Sequence, residues 1–192
     1  MNNTIKIALI YGSTREGRFC DTVAEWAVRE ITAIDGFAVD PIDPANLTLP
    51  ARIGEDETSD QKDVERRLAE ADAFVVVTPE YNHSFPAAVK MLIDLYSDPW
   101  MAKPVGFVSY GGVAGGLRAV EQLRQVFPEL HAMTVRDSVS FPSAWDLFDD
   151  KGELHEPDRP RRTLKRMLTQ LEWWARVLRE GRKVKPYGDI AG

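Results

Sequence analysis

Residues 74–86 read FVVVTPEYNHSFP. Four apolar residues, Phe74 to Val77, run straight into Thr-Pro-Glu-Tyr-Asn-His, and Pro86 then opens a second apolar segment with a different period. An unbroken apolar run bounded by turn residues suits a strand covered on both faces, as in a parallel sheet. Past the turn, Phe85, Val89, Leu92 and Tyr96 recur at helical spacing, with Pro86 in the first turn, where proline is tolerated. The stretch reads as strand, polar turn, helix.

The same unit recurs on both sides. Ile5–Ile10 is a short apolar run ending at Tyr11-Gly12-Ser13, and Val23, Ala27, Ile31 and Ile34 mark a helix over 22–34. Thr22 and Glu25 stand at capping-box spacing at its start. FAVDPID (37–43) alternates but contains Pro41, which has no N–H for a ladder and so predicts a sheet-edge strand. A Pro/Gly/acid-rich connection over 44–59 leads to a helix carrying Val64, Leu68 and Ala71, and then to the strand Ala73–Val77.

PVGFVS (104–109) is a fourth strand, running into YGGVAGG, and Leu117, Val120, Leu123 and Phe127 mark the next helix. HAMTV (131–135) is a weaker fifth strand, and Leu164, Met167, Leu171, Ala175 and Leu178 define a last helix over about 160–180. Trp173 and Trp174 are adjacent and point to different helix faces, so one is expected in the core and the other against a partner chain. Regular β–α alternation without repeats or linkers predicts one α/β domain over 1–192, a parallel sheet with helices on both faces. Five strands favour the flavodoxin-like order 2-1-3-4-5 over a six-strand dinucleotide fold, and the edge reading of Pro41 agrees.

Composition narrows the function. The chain has 192 residues, 44% hydrophobic and 28% charged, which suits a globular domain with a full core. A net charge of −6 argues against nucleic acid as a partner. One cysteine, Cys20, excludes an internal disulfide and suggests a reducing compartment. The start, MNNTIKIALIYGS, does not match a signal peptide, and no run approaches the roughly 20 apolar residues of a membrane span. A cytoplasmic protein is expected.

Ligands of open α/β sheets sit beyond the carboxyl ends of strands where the order reverses, here between the first and third. After the first strand, YGSTREGRFCDT offers the hydroxyls of Ser13 and Thr14, the guanidinium forks of Arg15 and Arg18, and the start of a helix. Arginine suits bidentate phosphate binding, and a hydrogen bond to a charged group contributes roughly 1.5–3 kcal/mol against about 0.3–1 for a helix dipole. The same residues also suit a solvated basic loop. The stretch matches neither a Walker loop nor GxGxxG, so a mononucleotide phosphate fits better than ATP or a dinucleotide.

After the third strand, Pro79 stiffens the turn, Glu80 and Asn82 offer polar side chains, and Tyr81 offers a flat amphipathic face. That set suits one wall of a planar heterocycle, or a tyrosine packed on a neighbouring subunit. After the fourth, Ser109-Tyr110-Gly111-Gly112 and Gly115-Gly116 permit close backbone approach and an anion-binding concavity, or simply form a strand-to-helix turn.

Taken together these loops resemble the NADPH-dependent FMN reductases and the related quinone and chromate reductases. The likeness spans nearly the whole chain. GSTREGR (12–18) and PEYNHSFPAAVKMLIDL (79–95) carry it, the second more specifically, with support from KPVGFVSYGGVAGGLRAVEQLR (103–124) and LEWWARVLREGR (171–182). The resemblance implies an NAD(P)H-dependent oxidoreductase that binds FMN non-covalently and passes electrons to a small acceptor. The phosphate would lie in the Ser13–Arg18 loop. Pro79, Glu80, Tyr81 and Asn82 would meet the ring, and Ser109, Gly111 and Gly112 would lie beneath its pyrimidine end. It also implies ping-pong turnover and a homodimer or homotetramer. Many members read Ser-x-Arg-x-x-Ser with an asparagine close behind. This chain has Arg18 followed by Phe19-Cys20-Asp21-Thr22, which shifts phosphate binding toward Arg18.

Hydride transfer to a flavin needs proximity and stacking, so no side-chain acid, base or nucleophile is expected. His83 reads as a polar loop residue, Cys20 as a packed thiol, and His131 and His155 lack ligand spacing, so no metal is expected. The acidic stretch 146–156 (DLFDDKGELHE) lacks the EF-hand pattern. Two other readings share the fold. An electron-carrier flavodoxin is disfavoured by Arg15 and Arg18, and a phosphoacceptor regulator by the lack of paired acids after the first strand.

Overall fold

The computed structural model describes residues 4–48, 50, 54 and 58–191. The segment preceding Thr4 and part of the 44–59 connection lie outside the described residues. Strands β1 (Ile5–Tyr11), β2 (Phe37–Ile42), β3 (Ala73–Pro79), β4 (Pro104–Gly111), β5 (Met133–Thr134) and β6 (Val139–Pro142) alternate with helices α1 (Cys20–Thr32), α2 (Ser59–Glu70), α3 (Ala87–Leu95), α4 (Leu117–Glu129), α5 (Asp158–Val184) and the short α6 (Gly188–Ala191). All pairings of named strands are parallel, in the order β2-β1-β3-β4-β5, with β6 also on β4.

The fifth position of the sheet is therefore shared. Only Met133–Thr134 of the 131–135 run pairs, at Pro104–Val105, while Val139–Pro142 takes the carboxyl half of β4 from Val108 to Gly111. Pro41 sits on the edge strand, opposite Leu9.

Strands β1 to β4 feed two cores, because successive side chains point to opposite faces. Ile5, Ile7 and Leu9 of β1, with Val75 and Val77 of β3, pack against α1 and α5. Ala8, Ile10, Phe74 and Val76 pack against α2, α3 and α4. Helix starts differ from expectation in one place. Thr22 and Glu25 do not form a capping box: α1 already begins at Cys20, behind Phe19, with no side-chain cap. Such a box forms instead at α2, where Thr58 and Gln61 cap one another.

Helix α5 is longer than its periodicity suggests and buries Leu164, Met167, Leu168, Leu171 and Ala175. Neither tryptophan joins that face. Trp173 is 58% and Trp174 36% exposed, and their rings meet edge to face at 4.8 Å. No helix among the described residues is long and apolar enough to cross a membrane.

Candidate active site

The first, third and fourth β–α junctions meet at one end of the sheet because a glycine allows it. A Cβ on Gly12 would lie 2.5 Å from the carbonyl oxygen of Val77, and the Gly12 N–H donates to that oxygen at 2.7 Å. Any larger residue would push the first loop off the end of β3. Ser13 follows, fully buried, with its hydroxyl 2.9 Å from the Tyr81 hydroxyl. A residue after β1 thus touches a residue after β3.

Thr14 to Gly17 are exposed. The Arg15 amide donates to the Ser13 hydroxyl at 3.3 Å, whereas the amides of Thr14, Glu16 and Gly17 have no partner among the described residues. With α1 lacking a side-chain cap, this exposed loop keeps donors unsatisfied among the described residues. The two arginines behave differently. Arg15 has no ion pair among the described residues and lies over the Tyr81 ring, 4.2 Å from its centroid.

Arg18 is only 8% exposed and is held on all sides. It meets Asp43 through two bonds of 2.8 and 2.5 Å, Asp21 through Nε at 2.8 Å, and the Ser13 carbonyl. Asp43 keeps this guanidinium firmly protonated and neutralised, with Asp21 assisting. The greater share of phosphate binding assigned to Arg18 therefore meets a fork that is already filled. Asp43 was missed in the sequence; its place just after β2, beside the strand reversal, was the available signal.

At the third junction, Tyr81 and Ser84 exchange backbone bonds of 2.9 and 3.1 Å around Asn82 and His83, whose φ angles are 50° and 70°. Two consecutive left-handed residues make this a type I′ turn, a geometry that normally favours glycine at the second position. Glu80 does not face outward. Its carboxylate accepts from the Arg118 guanidinium at 2.7 Å and from the Arg118 amide at 3.2 Å. Because Gly116, at the α4 cap position, has no side chain, Glu80 does the capping from another loop.

At the fourth junction, the Ser109 hydroxyl is buried and donates to the Gly115 carbonyl at 2.8 Å, and Ser140 reaches the same oxygen at 2.9 Å. Gly116 has φ +83° and its Cβ would lie 2.7 Å from that of Ser109. Gly111 is half-buried and Gly112 exposed, with the Trp145 ring 4.0 Å from where a Gly112 Cβ would stand. Trp145, like Arg118 and Gln122 on α4, was not singled out in the sequence. Cys20 is buried beneath the loop, and burial pushes its thiol up, so it stays protonated. Among the described residues, no three His, Cys, Asp or Glu side chains could hold a metal ion.

This donor set fits a flavin mononucleotide: an unpaired arginine and open amides for an anion, and a tyrosine-bearing rigid turn beside glycine backbone for a flat ring. The NADPH-dependent FMN reductase family model matches residues 5–146. The chain belongs to that family. As a member it is an FMN- and NAD(P)H-dependent oxidoreductase.

It is 38% identical over 133 residues to an NAD(P)H-dependent FMN reductase of Schizosaccharomyces pombe, covering 64% of this chain and 66% of that one. It is 31% identical to a quinone reductase of Pseudomonas putida, covering 83% of this reductase and 90% of that protein. In fold it is similar to an apo NADH:FMN oxidoreductase, with a TM-score of 0.72 at 20% identity over 87% of this chain and 90% of the other.

Proposed function

We propose that this reductase holds FMN across its first, third and fourth β–α junctions and passes electrons from NADPH or NADH to a small acceptor, a free flavin or a quinone. The observation that carries the reading is the contact between Ser13 and Tyr81, which joins an anion loop to a ring wall in one crevice. Bound there, FMN supplies a centre that accepts hydride and releases electrons to an acceptor.

The protein's part is binding and orientation. Arg15, leaving the Tyr81 ring, and the open amides of the Thr14–Gly17 loop take the phosphate. Ser13 orders that loop through the Arg15 amide. Arg18 acts one layer back, donating to both the Ser13 carbonyl and Asp43, and its pairing with Asp43 and Asp21 leaves Arg15 as the loop's cation without an ion pair among the described residues. Pro79, Tyr81 and Asn82 form the wall and Glu80 fixes its base. Gly111 and Gly112 bring backbone to the pyrimidine end, where N–H groups favour negative charge, and Ser109 holds the far side of their loop at the Gly115 carbonyl. No side chain is assigned proton transfer.

Residues 1–192 act as one FMN-binding domain. The exposed Trp173 and Trp174 favour a homodimer or homotetramer, and a lone buried cysteine favours the cytoplasm. The test is an absorption titration of the purified protein with FMN, followed by NADPH oxidation with a quinone. A shift in the flavin bands and steady turnover are expected. Flavin reduced only by a protein donor would make the chain an electron carrier instead.

A further inference from the structure

The strained turn after β3 is held by more than its own Tyr81–Ser84 backbone pair. His83 occupies the second central position of a type I′ turn at φ 70°, where any residue other than glycine is penalised. What closes on it is Gln122, one turn into α4 from Arg118. The Gln122 side-chain amide donates to the His83 carbonyl at 3.0 Å, and its oxygen accepts from the Ser84 hydroxyl. The amide orientation follows from chemistry: a carbonyl can only accept, so the nitrogen faces His83. Four residues earlier on the same helix face, Arg118 holds Glu80 by side chain and backbone. Both ends of the 80–84 turn are thus bolted to α4, the helix that also follows the glycine loop.

We propose that Gln122 is a positioning residue for the flavin ring: it imposes the left-handed 82–83 turn and so sets the Tyr81 wall in register with the glycine floor. The inference rests on the site reading above. Tyr81 supplies the link, since its backbone closes the turn with Ser84 while its hydroxyl meets Ser13 and its ring lies beneath Arg15. A relaxed turn would move the wall without touching the phosphate loop's open amides.

The two ligands FMN and riboflavin separate this role from phosphate binding. Gln122→Ala is expected to weaken both about tenfold, leaving their ratio unchanged, since two hydrogen bonds supporting the ring end are lost. Quenching of the bound flavin's fluorescence by Tyr81 should fall in the same variant. Gln122→Met, which keeps the length of the side chain, should behave alike. The decisive variant adds His83→Gly to Gln122→Ala. Glycine adopts the turn without the clamp, so ring binding and quenching should return most of the way to wild type. If Gln122 merely stabilised α4, glycine at 83 would restore nothing, and that result would overturn the proposal. So would Gln122→Ala and Gln122→Met binding both flavins as wild type does. If the unsubstituted protein failed to bind FMN at all, the site reading would fall first and the clamp with it.

Discussion

The two ends of the proposed site are built on opposite principles. The loop between Ser13 and Arg18 is exposed over Thr14–Gly17 and, among the described residues, keeps three amides unpaired and leaves Arg15 without a carboxylate. The turn from Glu80 to Ser84 pairs its backbone internally and is fastened to α4 by Arg118 and Gln122. An anion is bound by donors that water alone satisfies in its absence, so an unfinished loop is suited to a phosphate. A flat ring is bound by area and orientation, and a surface that moves loses both. On the proposed reading, one end is completed by its ligand; the other is completed beforehand.

The largest effect should come from disturbing the glycine loop at the start of α4, the helix to which the finished end is fastened. Gly116→Ala adds a Cβ 2.7 Å from Ser109 Cβ and 2.8 Å from the Tyr110 amide, at φ +83°. Left-handed strain and overpacking together predict a loss of about 3–5 kcal/mol, read as a lower denaturation midpoint with unchanged slope. Next is Arg18→Ala. Its side chain is 8% and that of Asp43 16% exposed, so removal leaves a nearly buried carboxylate with the Ala45 amide and the Asn46 side-chain amide but no countercharge. A stability loss of about 2–4 kcal/mol is expected, discounted from the fully buried case because Asp21 is half in solvent. If Arg18→Ala were neutral for stability but abolished FMN binding, Arg18 would be a phosphate ligand and the layering described here would be wrong.

This pair of arginines marks the limit of what the sequence discloses. The strands, their parallel order and the edge position of Pro41 follow from period and from a missing N–H, both local properties. The meeting of Ser13 with Tyr81 follows from topology, since strands 1 and 3 flank the reversal. Which arginine is free does not follow, because Asp43 lies 25 residues from Arg18 and only the adjacency of β1 and β2 brings them together. Gln122 was hidden for the same reason: on an amphipathic helix it is one polar residue among several. The divided edge strand was hidden by brevity, since two and four residues give too little period to read. Thr22 and Glu25 show the reverse failure, a correct motif one turn inside a helix that had already begun.

Arg15→Ala tests the unfinished end. The guanidinium has no ion pair among the described residues and the site is exposed, so stability should change by less than about 0.5 kcal/mol. FMN affinity should fall about tenfold to a hundredfold, the loss of charge-assisted bonds to phosphate, while riboflavin affinity holds. Equal losses for the two flavins would move the phosphate away from this loop. The contrast with Gln122→Ala, where both flavins should suffer alike, is the sharpest form of the comparison.

The smallest effect belongs to Arg118→Ala. Glu80 is nearly buried but Arg118 is half exposed, and the carboxylate keeps its second bond to the Arg118 amide after truncation. A solvent-facing pair of this kind contributes about 0.5–1 kcal/mol, and less at high salt. FMN and riboflavin should each weaken about twofold, by an amount that shrinks as salt is raised, because the lost interaction is screened. The Gln122→Ala effect should not shrink, since a neutral amide meets a carbonyl and a hydroxyl there. A salt-sensitive loss at one side chain and a salt-insensitive loss at another one turn away would show that α4 grips the turn in two different ways, by charge at Glu80 and by shape at His83.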